Sequence, residues 1–291
     1  FRNLLELLYQ TMNTEHLVAV DVGNSRLKAG IFTVVNTTTE QRSSNNHGCK
    51  TPELIHTHQE PLQRTNDFSV LASWFQSTGI TSAAWYLSSV NPTLTEPLEN
   101  WIRQQETNAP YHLLTNVDLP LQTDLPNPDE AGMDRLVNAV AANALRPPNR
   151  PAIIIDAGTA ITIDVLSEKG VFLGGAILPG FRIAGDALHS FTERLPLVMI
   201  TENREPPAIG TSTESAITSG LFWGLIGSME AIMERQCKQQ KLESPFIIVT
   251  GGDASMILGH LKHTVTNTPD LTLLGIAISA FQQITGPNQS D

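Results

Sequence analysis

Asp21-Val22-Gly23-Asn24-Ser25 and Asp156-Ala157-Gly158-Thr159-Ala160 are two versions of one device, a carboxylate followed two residues later by a glycine. Each follows an apolar run, Leu17 to Val20 and Ile153 to Ile155, and each precedes a second apolar-rich segment, Arg26 to Phe32 and Ile161 to Leu166. The pattern reads as strand, tight turn, strand. Glycine permits backbone torsions that a Cβ forbids, so such a turn can bend its N–H groups toward an anion. An Asp at the strand end can hold a cation, directly or through water, against that same anion. One Asp-x-Gly turn is commonplace in hairpins without ligands. Two in one chain point to a duplicated domain, with a nucleotide polyphosphate expected between the halves.

Composition bounds what such a site can use. The chain has 291 residues, enough for two ordinary domains, and is 41% hydrophobic. It carries 29 acidic against 18 basic residues, a formal net charge of −11. That argues against electrostatic binding to nucleic acid or to an anionic membrane surface. A polyphosphate would then be held by backbone N–H groups and metal ions more than by a basic patch. The two cysteines, Cys49 and Cys237, lie far apart and outside any metal-ligand spacing, which reads as reduced thiols in a cytoplasmic protein. No apolar run is expected to span a bilayer. Phe1 to Met12 is apolar at helical intervals but interrupted by Arg2 and Glu6, so it is not read as a signal peptide, and the domains are counted from Met12.

The elements that must position these turns follow in order. After the first hairpin comes a polar stretch, Asn36 to Asp67, read as a solvated loop with a short strand near Leu54 to Thr57; its His47, His56 and His58 are weak metal candidates. Helical spacing covers Phe68 to Gln76, a buried strand Ala83 to Val90, a helix Thr93 to Gln105 and a short strand at Leu113–Leu114. A proline-punctuated passage leads to a helix from about Glu130 to Leu145, and Pro147-Pro148 stops it. This proline pair divides an expected domain 12–146 from a second, 147–291. The second repeats the theme: the hairpin, a third strand over Val171–Phe172 and Ala176–Leu178, helices Arg182 to Ser190 and Glu214 to Lys238, a strand Phe246 to Thr250, and a last helix from near Leu274. The expected fold is α/β, with two ribonuclease-H-like domains whose mixed sheets are flanked by helices. No Gly-x-Gly-x-x-Gly follows a strand and no Walker A sequence occurs, which disfavours Rossmann and P-loop readings.

Five segments complete a pattern: the two hairpins, the second extended to Ile161-Thr162; Gly132-Met133-Asp134-Arg135; Gly174-Gly175-Ala176-Ile177-Leu178-Pro179-Gly180; and Thr250-Gly251-Gly252-Asp253. Together they resemble type III pantothenate kinases, of the acetate kinase, sugar kinase, Hsp70 and actin-like ATPase superfamily, over about Leu17 to Phe281. The resemblance implies ATP-dependent phosphorylation of pantothenate, the first committed step toward coenzyme A, with Mg2+ and a monovalent cation (K+ or NH4+) and a homodimer that completes the acceptor site.

Residue by residue, the resemblance places ATP phosphates on Asp21, Val22, Gly23, Asn24, Ser25, Arg26, Leu27 and Lys28 and on Thr159, and the adenosine on Gly251 and Gly252. Lys28 either reaches a phosphate as a point charge or faces solvent. Asp156 matches the monovalent-cation position, and Asp164 is read as structural. Asp134 matches the catalytic base, and Gly132, Met133, Asp134, Arg135 and Thr213 match the pantothenate contacts. The chemistry agrees: a primary alcohol must lose its proton as phosphoryl transfer proceeds, and a nearby carboxylate can take it. Arg135 offers a forked cation for the substrate's carboxylate. Paired glycines allow a purine to lie against backbone. The chain departs from the family at Leu125, where many members carry a tyrosine. Another phosphotransferase or exopolyphosphatase of the superfamily, and a non-catalytic regulatory protein on the same fold, are the alternative readings.

Overall fold

The computed structural model describes residues 16–33, 52–62, 67–105, 110–200 and 205–285. Phe1 to Met12, His47, Cys49 and much of the Asn36 to Asp67 stretch lie outside the described residues. Contacts group the chain into two units. The first draws on Phe1–Pro120, Asp129–Ala144 and Thr272–Asp291, the second on Leu121–Pro128 and Leu145–Leu271. A single cut at 146/147 therefore misses two segments. The chain visits the second unit early at Leu121–Pro128, and its last helix returns to the first.

The first unit contains β1 (His16–Val22), β2 (Arg26–Thr33), β3 (Glu53–Pro61), α1 (Ser69–Ser77), β4 (Ala84–Ser89), α2 (Pro92–Gln105), β5 (Tyr111–Leu113) and α3 (Met133–Leu145). Its sheet runs β3-β2-β1-β4-β5, antiparallel on the β2 side of β1 and parallel on the β4 side. Alternation sorts the side chains. Val18, Val20, Val22, Leu27, Ala29, Ile31, Trp85 and Leu87 fall on one face and form a core with Leu71, Leu94, Leu98 and Ile102 from α1 and α2. The opposite face carries Ala19, Asp21, Lys28, Gly30, Tyr86 and Ser88. The strand over the polar stretch is nine residues long rather than four. In it His58 stacks on Trp74 at 5.3 Å and lies 3.6 Å from Glu60, while His56 is exposed.

The second unit repeats the plan with β6 (Ala152–Ala157), β7 (Ala160–Leu166), β8 (Phe172–Pro179), α4 (Phe181–Ser190), α5 (Thr213–Gln240), β9 (Phe246–Thr250), α6 (Ala254–Ile257) and β10 (Val265–Asn267). Its order is β10-β9-β6-β7-β8, again antiparallel on one side of the hairpin's first strand and parallel on the other. Ile153, Ile155, Ala157, Ile161, Ile163, Ile247 and Val249 pack under Phe181 of α4 and Phe222, Leu225, Ile226, Met229 and Met233 of α5. Two mixed sheets flanked by helices, with matching order, are the ribonuclease-H-like, actin-like fold. The expectation of no membrane-length apolar run is corrected here. Among the described residues α5 is long and apolar enough, by length and composition, to cross a bilayer. Its apolar side chains instead supply the core of this unit.

The last helix, α7 (Leu271–Thr285), covers the Asp21 face of the first sheet. A Cβ at Gly30 would sit 3.1 Å from Leu273. On α7 lies α3, where Thr272 donates to Asn138 at 2.9 Å and both are buried. The helices meet at Gly275, where a Cβ would stand 1.8 Å from the Val137 carbonyl oxygen. Alanine would favour the helix by about 1 kcal/mol. Backbone cannot yield as a side chain can, so the clash wins. Gly275→Ala should cost about 1–3 kcal/mol net, roughly 2–4 °C of melting temperature per kcal/mol at this size. An unchanged melting temperature would contradict this packing.

Candidate active site

Both hairpins carry a carboxylate one residue before the end of their first strand. Asp21, 9% exposed, lies opposite Lys28 on β2 and Ser88 on β4. Asp156, half-buried, lies opposite Thr162 on β7 and Thr250 on β9. Directly opposed residues share a face, so each carboxylate has a strand-borne polar group on either side. Sequence reasoning missed Ser88 and gave no role to the side chains of Thr162 and Thr250.

The turns are tied differently from the simplest expectation. Gly23 N–H donates to the Arg26 carbonyl at 3.1 Å, and Gly158 N–H to the Ala160 carbonyl at 3.0 Å. The glycine N–H groups thus close the turns, whose tips are Asn24 and Ser25 in the first and Thr159 in the second. Asn24 is exposed, and Ser25 and Thr159 are half-buried. Of the remaining first-motif residues, Arg26 is exposed and Lys28 half-buried. Val22 and Leu27 are 0% and 1% exposed within the core. Their side chains are packing, and the Val22 carbonyl accepts the Val90 N–H at 3.1 Å.

Glycines bring other segments onto the second turn. A Cβ at Gly180 would stand 2.4 Å from the Gly158 carbonyl oxygen, and Gly180 N–H donates to the Thr159 carbonyl at 3.1 Å. Gly251 has φ +99 and its Cβ position lies 2.3 Å from the Ala157 carbonyl oxygen. Asp253 N–H donates to that same carbonyl at 2.8 Å. The Gly251-Gly252 turn therefore sits directly on the strand end that carries Asp156. Gly252 is exposed at its surface. Asp164 is 1% exposed, beneath Gly175, whose Cβ would fall 2.3 Å from its Oδ1, in keeping with a structural role.

Asp134 and Arg135 occupy the first turn of α3. The N–H groups of Arg135 and Leu136 both donate to the Gly132 carbonyl, at 3.1 and 3.2 Å, so Gly132 caps the helix. The Asp134 carboxylate folds back over it: a Cβ at Gly132 would lie 2.5 Å from Oδ1, which accepts the Arg135 N–H at 2.8 Å. Met133 beside it is half-buried. Burial raises the Asp134 carboxyl above the usual carboxylate range, against the lowering effects of the Arg135 N–H and guanidinium. A raised value makes the carboxylate a better proton acceptor. Because α3 packs on α7, this pair belongs to the layer over the Asp21 face of the sheet.

In the second unit Thr213 begins α5, exposed, after a cap in which Ser212 Oγ accepts the Ser215 N–H at 3.2 Å. Gly210 lets the preceding loop approach this turn, since its Cβ would stand 2.2 Å from the Ala216 nitrogen. Leu125 belongs to a segment bridged to Phe172 at Thr123, and it packs on Gly174, φ +92, at 3.3 Å from the Cβ position. No group of three or more histidine, cysteine or acidic side chains among the described residues forms a metal cluster.

Against known proteins, a family model described as type III pantothenate kinase matches residues 17–235. The type III pantothenate kinase of Syntrophotalea carbinolica is 31% identical over 269 residues, covering 90% of this chain and 97% of that protein. That of Moorella thermoacetica is 34% identical over 270 residues, with the same coverage. Component A of the (R)-2-hydroxyglutaryl-CoA dehydratase of Acidaminococcus fermentans is similar in structure, with a TM-score of 0.52 at 13% identity, covering 93% of this chain and 99% of that one. That likeness concerns fold alone. With the five motifs in order and a match across most of its length, this chain belongs to the type III pantothenate kinase family.

Proposed function

We propose that the chain is an ATP:pantothenate phosphotransferase that phosphorylates the primary hydroxyl of pantothenate, acting in the cytoplasm as a homodimer. The observation that carries the reading is Asp134: a half-buried carboxylate lying over Gly132 and accepting the Arg135 N–H, in a chain of this family. Asp134 accepts the hydroxyl proton as the oxygen bonds to phosphorus. Arg135 pairs with the substrate's carboxylate, and Gly132, Met133 and Thr213 complete the acceptor contacts. Thr159 donates its hydroxyl and N–H to phosphoryl oxygens, and the Asn24–Ser25 tip does the same from the first hairpin. Gly251 and Gly252 leave room for the adenosine.

The residues also fit metal ions. Asp21 stands one residue before the end of its strand, a carboxylate 9% exposed, suited to Mg2+ through water. Asp156 lies opposite Thr162 and Thr250 on the neighbouring strands, an oxygen-bearing surround suited to a monovalent ion. Bound ions would offset triphosphate charge that a chain of net charge −11 cannot offset with side chains. A homodimer is supported by apolar side chains left exposed around α4 and before α5, notably Phe191 at 88% and Ile209 at 81%. The simplest test is ADP release with and without pantothenate. Release independent of pantothenate would favour a phosphatase or a different acceptor.

Asp134→Asn should lower kcat by about 10²–10⁴-fold, the usual worth of a general base, with nucleotide affinity nearly unchanged. The sign of its stability effect is also fixed. The folded-state value lies above the unfolded one, so stability falls as pH rises through the raised value, and at neutral pH the ionised group is a burden. The Asn variant should therefore melt no lower than wild type at neutral pH, with the gap closing in acid toward about pH 3.9. Wild-type kcat, or a strongly lowered melting temperature, would contradict this role.

Arg135→Lys keeps the charge and loses the fork. Pantothenate affinity should fall by roughly 1.5–3 kcal/mol, as for a hydrogen bond to a charged group, and ATP affinity much less. Equal losses for both ligands would assign Arg135 to the nucleotide.

Replacing K+ by Na+ or Tris should remove most activity. Asp156→Ala should lower activity and raise the KM for ATP, without rescue by added K+. Full activity in K+- and ammonium-free buffer would remove the monovalent ion from the account.

A further inference from the structure

The first unit is interrupted just ahead of its acceptor motif. The chain leaves this unit after Pro120 and re-enters it at Asp129, shortly before Gly132. Gly132 caps α3 from within, but the chain that feeds α3 arrives from the Leu121–Pro128 excursion. Something must fasten the neck of that excursion if the first turn of α3 is to keep its place.

Asn116 supplies the fastening. Its Nδ2 donates to Asp129 Oδ1 at 2.6 Å and so joins the two ends of the excursion. Asn116 opens a short 3₁₀ turn, Asn116–Asp118, which is itself clamped. One oxygen of the Asp118 carboxylate accepts the Thr115 N–H at 2.7 Å and the Thr115 hydroxyl at 2.6 Å. The other accepts from Gln283 Nε2 on α7 at 3.1 Å and lies 3.3 Å from Nε2 of His112 on β5. Burial opposes ionisation of Asp118, but the Thr115 donors and His112 hold its carboxyl below the usual range, so it is charged at neutral pH. Hydrogen bonds to an ionised acceptor are the stronger kind.

These contacts close a ring. α3 lies on α7 at Gly275 and through the Thr272–Asn138 hydrogen bond. From the other end of α7, Gln283 reaches the 3₁₀ turn; Asn116 carries that turn to Asp129, and the chain leads from there back into α3. Every bonded member belongs to the first unit. Asp134 stands at the point where the ring returns to the helix.

We infer that the Asn116–Asp129 hydrogen bond, anchored by Asp118, positions Asp134 for proton transfer. Asn116 and Asp118 are positioning residues that act through the first turn of α3. Their worth lies in the geometry that proton transfer demands: the carboxylate must meet a hydroxyl at hydrogen-bond distance, and a misplacement of about 1 Å can cost roughly a hundredfold in rate. This rests on the reading of Asp134 as the proton acceptor and adds the residues that set its place.

The test uses the full-length protein, with kcat, affinity for a non-hydrolysable ATP analogue and melting temperature measured for each variant. Asn116→Asp turns the donor into a second carboxylate facing Asp129. Its kcat should fall roughly ten- to a hundredfold, with nucleotide affinity as in wild type. The double variant Asn116→Asp/Asp129→Asn reverses donor and acceptor and should recover most of the lost kcat. In an Asp134→Asn background, Asn116→Asp should lower the residual kcat no further, because a residue that acts through Asp134 has nothing left to position. Should Asn116→Asp fail to fold, Asn116→Ala removes the bond without adding charge and is compared in the same two backgrounds. Wild-type kcat in the Asn116 variant, no recovery on reversal, or an equal loss in both backgrounds would overturn this inference alone. Wild-type kcat in Asp134→Asn would overturn it together with the reading of Asp134.

Discussion

Backbone pressed on backbone at the end of β6 is the contact on which the second unit's chemistry depends. Gly180 stands against the carbonyls of Gly158 and Thr159, and Gly251 against that of Ala157, at separations no Cβ could share. These approaches bring the end of β8 and the end of β9 onto one turn. As a result Asp156, Thr159 and the Gly251-Gly252 surface occupy one small region without any large side chain to build it. Steric absence, rather than attraction, is what lets these segments meet there. The same principle recurs at Gly132, where the missing side chain gives the Asp134 carboxylate its place over the helix cap, and at Gly275, where it lets α3 lie on α7.

Charge is the second constraint. A chain of net charge −11 that binds a triphosphate must bring the compensating charge from elsewhere. Each hairpin carries a carboxylate near the end of its first strand. That arrangement makes sense only if each carboxylate works through a cation. Across the ladder from Asp21 stands Lys28, and across from Asp156 stands Thr162.

Much of this was legible in the sequence because it is local. Alternation located both hairpins, and the register follows from counting outward from the turn, which pairs Asp21 with Lys28 and Asp156 with Thr162. Counting could therefore have singled out Thr162. Ser88 and Thr250 could not be found that way, since parallel neighbours arrive by crossover connections whose register no local pattern sets. Alternation puts the side chains of Val22 and Leu27, which the resemblance includes in the first phosphate motif, in the core. The domain division failed for a similar reason. Pro147-Pro148 does stop a helix, but the return of α7 to the first unit is a tertiary choice, carried by Gly30, Gly275 and the Thr272–Asn138 hydrogen bond. The short elements Ala254–Ile257 and Val265–Asn267 carry too little periodicity to read.

The central claim is that Asp134 directs the terminal phosphoryl group of ATP onto one hydroxyl of pantothenate, the primary one. Phosphorus NMR of the reaction mixture reads this directly, because the ester's phosphorus couples to the protons on the carbon that bears it. The account predicts a new phosphomonoester resonance split into a triplet by the two protons of a methylene group. A doublet would place the phosphate on the secondary hydroxyl. ADP and inorganic phosphate without any phosphomonoester would mean that water is the acceptor, and either result would contradict the account.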